Sequence, residues 1–233
     1  MSESEHEEAS PMAMYVVDAD LERRLKAKRQ LTGADRLDEV WDGVYFMPPL
    51  PNNEHQFFQT QLAIVLQMAL GSPDQGTAYA GVNVSDREKG WKKNYHCPDV
   101  AVVLPGCKAK NCGTHWFGGP DLVVEIISPK DRSREKLPFY SAVGVQELLL
   151  MDRHPWSLEL FRLQGSRLES CGRSTIPRPV FLSSFVLPVS IRLVPSGARH
   201  ASNGQRKSRS NGRRQVRPAL EIVHKDGDQR WII

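Results

Sequence analysis

Asp99-Val-Ala-Val-Val-Leu104 and Asp121-Leu-Val-Val-Glu-Ile-Ile127 are two short β-like runs, each carrying an acid where burial is expected. Pro98 opens the first, and Ser128-Pro129 closes the second ahead of a basic stretch containing Lys136. An ionised Asp or Glu among apolar strands is costly unless a cation or a set of hydrogen bonds compensates it. Asp99 and Glu125 on neighbouring strands therefore predict a site for a divalent cation.

Strand geometry selects the pair. Asp121 lies on the same strand and face as Glu125, but four residues at roughly 3.3 Å each place it about 13 Å away. Asp99 lies directly across an antiparallel ladder if 99 pairs with 125 and 104 with 120, which brings the two Cβ atoms to about 4.5 to 5.5 Å. The implied connection from Pro105 to Gly119 is long, and loops of that length are more often functional flaps than filler. A hard cation such as Mg2+, or Mn2+ in its place, takes oxygen ligands, keeps several waters and uses one or two carboxylates plus substrate phosphate. That chemistry fits hydrolysis of a phosphodiester: the ion neutralises phosphate charge and lowers the pKa of a water. A nearby lysine would stabilise the charge that builds up.

Working outward, Asp18 to Leu31 has the spacing of a solvated helix. Glu39-Val-Trp-Asp-Gly-Val-Tyr-Phe-Met47 predicts a turn entering a strand, and Pro48, Pro49 and Pro51 separate it from an amphipathic helix over Glu54 to Leu70. Strands are expected over Thr77 to Val84, Asp99 to Leu104, Asp121 to Ile127, Glu147 to Asp152 and Leu158 to Leu163, with a helix over Glu135 to Val143. This order describes an α/β layered domain over residues 14–196. Residues 1–13 form an acidic segment without periodicity, expected to be disordered. Between Arg199 and Arg217 stand seven basic residues and no acid, so 197–217 is expected to be a flexible basic linker and the rest of the chain is net acidic, although the total charge is +4. Residues 218–233 contain an Asp-Gly turn between β-like runs, a hairpin that must dock on the main domain or on a partner because a lone hairpin is marginal in water.

The longest apolar run, Leu62 to Leu70, is interrupted by Gln67 and falls far below the roughly 18 residues that span a bilayer, so no membrane crossing is expected. Ser2-Glu-Ser-Glu-His-Glu-Glu8 is acidic where an export signal would be basic and then apolar, which points to the cytoplasm. Four cysteines in 233 residues are too few for a disulfide framework.

Pro98-Asp99, then Glu125-Ile-Ile-Ser-Pro129, then Lys136 with Tyr140 and Gly144-Val-Gln-Glu147 resemble the Uma-type family of restriction endonucleases, within the PD-(D/E)xK nuclease superfamily. The match spans about 36 to 163, including Glu39-Val-Trp-Asp-Gly43 and Glu54-His55-Gln56, and 119 to 152 is its most specific part. The resemblance implies a restriction-endonuclease-like mixed β-sheet flanked by helices, with Asp99 and Glu125 as metal ligands and DNA as substrate. The superfamily lysine would stand two residues after Glu125, where this chain has Ile127. The resemblance then implies a migrated lysine, with Lys136 as the best match; it would share a helix face with Tyr140 at i, i+4, while Pro138 is tolerated only in a first turn.

Glu39 is the candidate auxiliary acid. His55, at a helix start, either caps the helix or touches substrate phosphate, and Lys92 and Lys93 are candidate substrate contacts. His96, Cys97, Cys107, Cys112 and His115 raise a structural zinc reading, but four residues separate Cys107 from Cys112 where the common knuckle has two, which favours free thiols. The basic stretch offers sequence-independent phosphate contacts. A homodimer is expected if both strands of a duplex are to be cut. Two alternatives stand beside the nuclease: a nucleic-acid-binding module of the same fold without chemistry, and a hydrolase of another phosphate compound.

Overall fold

The computed structural model describes residues 14–48, 50–128, 132–196 and 218–233. The acidic segment 1–13 and the basic linker 197–217 lie outside the described residues. The strand Leu122–Ile127 is buried on both faces and sits near the middle of a six-stranded sheet. It pairs in parallel with Glu147–Arg153 on one side and antiparallel with Val100–Val103 on the other. Trp156–Gln164 and Arg167–Thr175 extend the sheet beyond Glu147–Arg153, and Thr77–Ala80 closes the opposite edge. A parallel pair needs a crossover. Here it is a 3-10 turn, Ser133–Lys136, running into the short helix Leu137–Val143, with Pro138 in the first turn where its missing N–H does no harm.

The helix Asn53–Leu70 covers one face. Phe58, Leu62, Val65 and Leu66 pack on Val100, Val102, Val124 and Ile126. The Asn52 side chain caps it by accepting the His55 backbone N–H, and Gly71 ends it with φ 79°. The other face holds Val123, Leu148 and Leu150 against Tyr140 and Val145. The helix Ala19–Thr32, capped by Asp18, buries no residue, as its charged sequence requires.

A four-stranded sheet of Leu182–Ser183, Val189–Pro195, Pro218–His224 and Arg230–Ile232 adds Ile191, Leu193, Leu220 and Ile222 to the larger core. The segment 218–233 thus pairs along Val189–Pro195. Leu220 is fully buried, so Leu220→Ala should cost about 2–5 kcal/mol in an equilibrium denaturation experiment, through lost transfer energy and the cavity left behind. A variant as stable as the parent would show that the C-terminal strand does not complete the core.

Seven short strands form a third sheet, in which the hairpin Glu39–Trp41 with Val44–Met47 lies beside Tyr95–His96. The expected strand over 77 to 84 is divided: after Thr77–Ala80 the chain turns at Gly81, φ 64°, and Val84–Ser85 joins this third sheet. The connection from Pro105 to Gly119 is no open flap, because Lys110–Asn111 and Trp116–Phe117 are strands of the same sheet. Among the described residues, no helix is long and apolar enough to cross a membrane.

Candidate active site

The register brings the two acids together. Val124 pairs with Val100, Val123 with Ala101 and Leu122 with Val102, and one further step sets Asp99 beside Glu125. Asp99 stands just past the end of its strand, and its side chain takes over the ladder: Oδ2 accepts the Ile126 N–H at 2.7 Å. The Asp99 carbonyl accepts from Gly81 N at 3.1 Å and from Gln59 Nε2 at 2.9 Å. Its free Oδ1 lies 3.3 Å from His55 Nε2.

Glu125, Glu39 and Lys136 are all buried. Lys136 Nζ donates to Glu39 Oε1 at 2.9 Å and stands 3.1 Å from each oxygen of Glu125. One turn further on, the Tyr140 hydroxyl donates to Glu125 Oε1, so the i, i+4 pair grips one carboxylate. Glu39 Oε1 also accepts the Cys97 N–H at 2.7 Å, and Oε2 accepts from the Trp41 indole. The His96 ring packs between Trp41 and Phe139, closing the rear of the cluster.

Two carboxylates, Glu39 and Glu125, therefore share one ammonium, with Asp99 close by. Burial pushes the Glu125 carboxyl up to about 8; Lys136 opposes this while the nearby charges of Asp99 and Glu39 add to it. Burial raises Glu39 in the same direction, again against Lys136. Burial and the two carboxylates hold the Tyr140 phenol well above its ordinary value, so it stays a donor. His96 is pushed down to about 2 by burial and by Lys136 and is a neutral ring, with Nδ1 unpartnered.

The sign of the pH dependence follows. The folded Glu125 binds its proton more tightly than the unfolded chain does, with its ordinary value at 4.5, so stability declines as pH rises from there towards about 8. Thermal unfolding without divalent cations should show a falling melting temperature over this window, and a rise would contradict the arrangement.

Other expectations change. His55 does not cap its helix, since Asn52 does so; its ring is buried against Asp99, with Nδ1 unpartnered. Lys92 and Lys93 are not part of the cluster. They line a concavity of about 430 Å³ with Lys26, Arg87 and Val40, and Val40 alternates to the opposite face of its strand from Glu39 and Trp41. Arg132 and Arg134 pair with Glu135 and Glu159. Asp121 Oδ2 accepts the Leu104 N–H at 2.7 Å, an acid in a structural role. Both ring nitrogens of His115 are engaged, by Thr114 and by the Arg87 carbonyl, and the four cysteines are free. Burial raises the Cys97 thiol, the wrong direction for a thiolate ligand.

The donor set fits a divalent cation. The cluster gathers carboxylate oxygens, which are hard donors, and a bound cation would favour their ionised forms against the burial that raises Glu125 and Glu39. Among the described residues, no three His, Cys, Asp or Glu side chains converge to hold an ion unaided. A cation that takes one or two carboxylates and completes its shell with water and phosphate does not need them to. Tyr140, Trp41 and His96 complete the site. Tyr140 was signalled by its i+4 spacing from Lys136; Trp41 lay within Glu39-Val-Trp-Asp-Gly43 and His96 among the zinc candidates, but neither pointed to this cluster.

The fold has a solved counterpart. A crystal structure from Anabaena variabilis, described as a putative nuclease belonging to DUF820, superposes with a TM-score of 0.51 at 17% identity, covering 63% of this chain and 80% of that one. At this identity the likeness is one of fold. No curated protein matches the chain. The family model described as "Uma2: Putative restriction endonuclease" matches residues 20–190, so the chain, with its mixed sheet and its cluster of carboxylates and lysine, belongs to that nuclease family.

Proposed function

We propose that the protein is a divalent-metal-dependent endonuclease that hydrolyses phosphodiester bonds in DNA. The observation that carries this is the meeting of Asp99 and Glu125, from adjacent strands, with Glu39 and Lys136 in one buried cluster. Asp99 and Glu125 would hold Mg2+ or Mn2+. When bound, the ion neutralises charge on the phosphate and lowers the pKa of a water. Lys136 supplies a fixed positive charge to the phosphoryl oxygens as negative charge develops there. Glu39 Oε1 keeps that ammonium in place and, with its proton affinity raised by burial, is set to receive a proton passed on through Lys136 Nζ. Tyr140 orients Glu125 from the next helical turn.

Ile127, at the superfamily's usual lysine position, favours the second reading, a binding module without chemistry. Lys136 answers it by reaching Glu125 from the following helix. The deciding experiment incubates purified protein with plasmid and with single-stranded DNA in Mg2+ or Mn2+. Cutting that stops on chelation and in Asp99→Ala supports the nuclease. Binding without cutting in both proteins overturns it, and competition by nucleotides exposes a hydrolase of another phosphate compound. Sedimentation with DNA reports whether two copies assemble, since cutting both strands of a duplex takes two sites.

A further inference from the structure

The six-stranded sheet carries a second feature on the face that bears Glu125. Residues directly paired across strands point to the same side. Tyr79 pairs with Ala101 and Ala101 with Val123, so Tyr79 shares a face with Val123 and, by alternation, with Glu125. Two residues after Tyr79 the strand reaches Gly81, whose N–H donates to the Asp99 carbonyl. A pocket of about 220 Å³ is lined by Tyr79 and Gly81 together with the 111–116 loop.

Its lining includes the rings of Tyr79 and Trp116, in tilted contact with centroids 5.7 Å apart, and Asn83, Asn111 and Thr114, whose side chains each already make one bond, to the Thr114 carbonyl, the Gly113 N–H and His115. No acid, lysine or arginine lines it, and the one titratable side chain that does, His115, has both ring nitrogens engaged by Thr114 and the Arg87 carbonyl. The volume lies below the roughly 300–1,000 Å³ of pockets that take drug-sized ligands, which fits one ring system and not a whole nucleotide. Asn83 and Thr114 also line an adjoining concavity of about 390 Å³ that adds Trp91 and Lys92. Lys92 in turn borders the 430 Å³ concavity with Arg87 and Lys93. An aromatic pocket linked to Asp99 through the Gly81 N–H thus adjoins a trough lined by aromatic rings and by cations that outnumber the acids Glu22, Asp35, Asp38 and Asp42.

A neutral, planar heterocycle with donor and acceptor edges matches that pocket, and polyanionic backbone matches the trough; together they are the chemistry of a nucleic-acid strand with its bases unstacked. We propose that the pocket lined by Tyr79 and Trp116 receives an unpaired nucleobase against the Tyr79 ring, on the strand whose phosphodiester is held at Asp99 and Glu125, so that the preferred substrate is a single strand or a locally opened duplex. This rests on the phosphodiesterase reading for its orientation. A base inside an intact duplex is stacked and paired and cannot enter without being extruded. Lys92 and Lys93 then contact backbone leaving the site rather than the reacting phosphate.

The test measures binding in a chelator, so that nothing is cut, by the anisotropy of a labelled short strand, the same strand made abasic, its duplex, and that duplex with a mismatch. The parent protein should bind the base-bearing strand more tightly than the abasic strand or the intact duplex, with the mismatched duplex between. Tyr79→Ala should weaken binding of the base-bearing strand by roughly 5- to 150-fold, the range for loss of a stacking ring, and leave the abasic strand unchanged. Tyr79→Phe, which keeps the ring, should behave as the parent and controls for folding. Equal affinity for base-bearing and abasic strands, or a folded Tyr79→Ala protein that binds as tightly as the parent, overturns the proposal. Adding Mn2+ separates the two readings: base-dependent binding without cutting leaves the pocket standing and removes the nuclease, whereas cutting with no effect of Tyr79→Ala does the reverse.

Discussion

Lys136→Met is expected to abolish cleavage and, at neutral pH, to cost the fold about 3–5 kcal/mol, the range for breaking a buried ion pair from one side. The substitution keeps the length of the side chain but leaves Glu39 and Glu125 buried without their shared ammonium. Both carboxyls already have raised proton affinity, and Lys136 is the partner that opposes the rise. Without it, Glu39 must bind a proton to stay inside, as Glu125 already does in the parent below about 8. Where the folded variant holds a proton that the folded parent has released, its penalty grows by about 1.4 kcal/mol per pH unit. The penalty should therefore shrink steadily as pH falls towards the ordinary carboxylate range. Denaturation of parent and variant across pH checks this; a pH-independent difference would show that Lys136 does not neutralise the pair.

Asp99→Asn should have the opposite profile. Asp99 is only partly buried, and its charge raises the proton affinity of Glu125. Removing that charge relieves repulsion, so the variant should be as stable as the parent or more so above neutral pH. Cleavage should nevertheless fall on the order of 10³-fold or more, because the group that places charge at the phosphate has lost an anionic ligand. Stable and inactive is the diagnostic combination, read from melting temperature and plasmid nicking in the same preparation. An unstable Asp99→Asn protein would mark Asp99 as a structural strand-end acid.

The pairing of Asp99 with Glu125 was legible because it depends on strand arithmetic: apolar runs bounded by Pro98 and Ser128 have few registers, and only one puts both acids side by side. The ends of the helix Asn53–Leu70 were legible for a similar local reason, prolines before it and Gly71 after. Other features depend on distance in the chain. Glu39 meets Lys136 across 97 residues, and nothing near either residue announces the other. His55 stands near the helix start but lies inside the first turn, and Asn52, a preferred capping type, takes the cap by accepting the His55 N–H. Arg167–Thr175 escapes periodicity because most of its side chains are exposed at an edge. Val189, Ile191 and Leu193 do alternate as a half-buried strand should, and that signal was present to be read. The opposite facing of Lys92 and Lys93 could come only from the third sheet, whose strands are mostly two to four residues long and leave almost no pattern.

The central claim is that Asp99 and Glu125 share a cation. Crystals grown with Mn2+ and measured for anomalous scattering test it most directly. The arrangement predicts a single strong peak between the two carboxylates, lost in Asp99→Asn. Crystals saturated with Mn2+ that show no peak there, or show it only elsewhere on the surface, would contradict it.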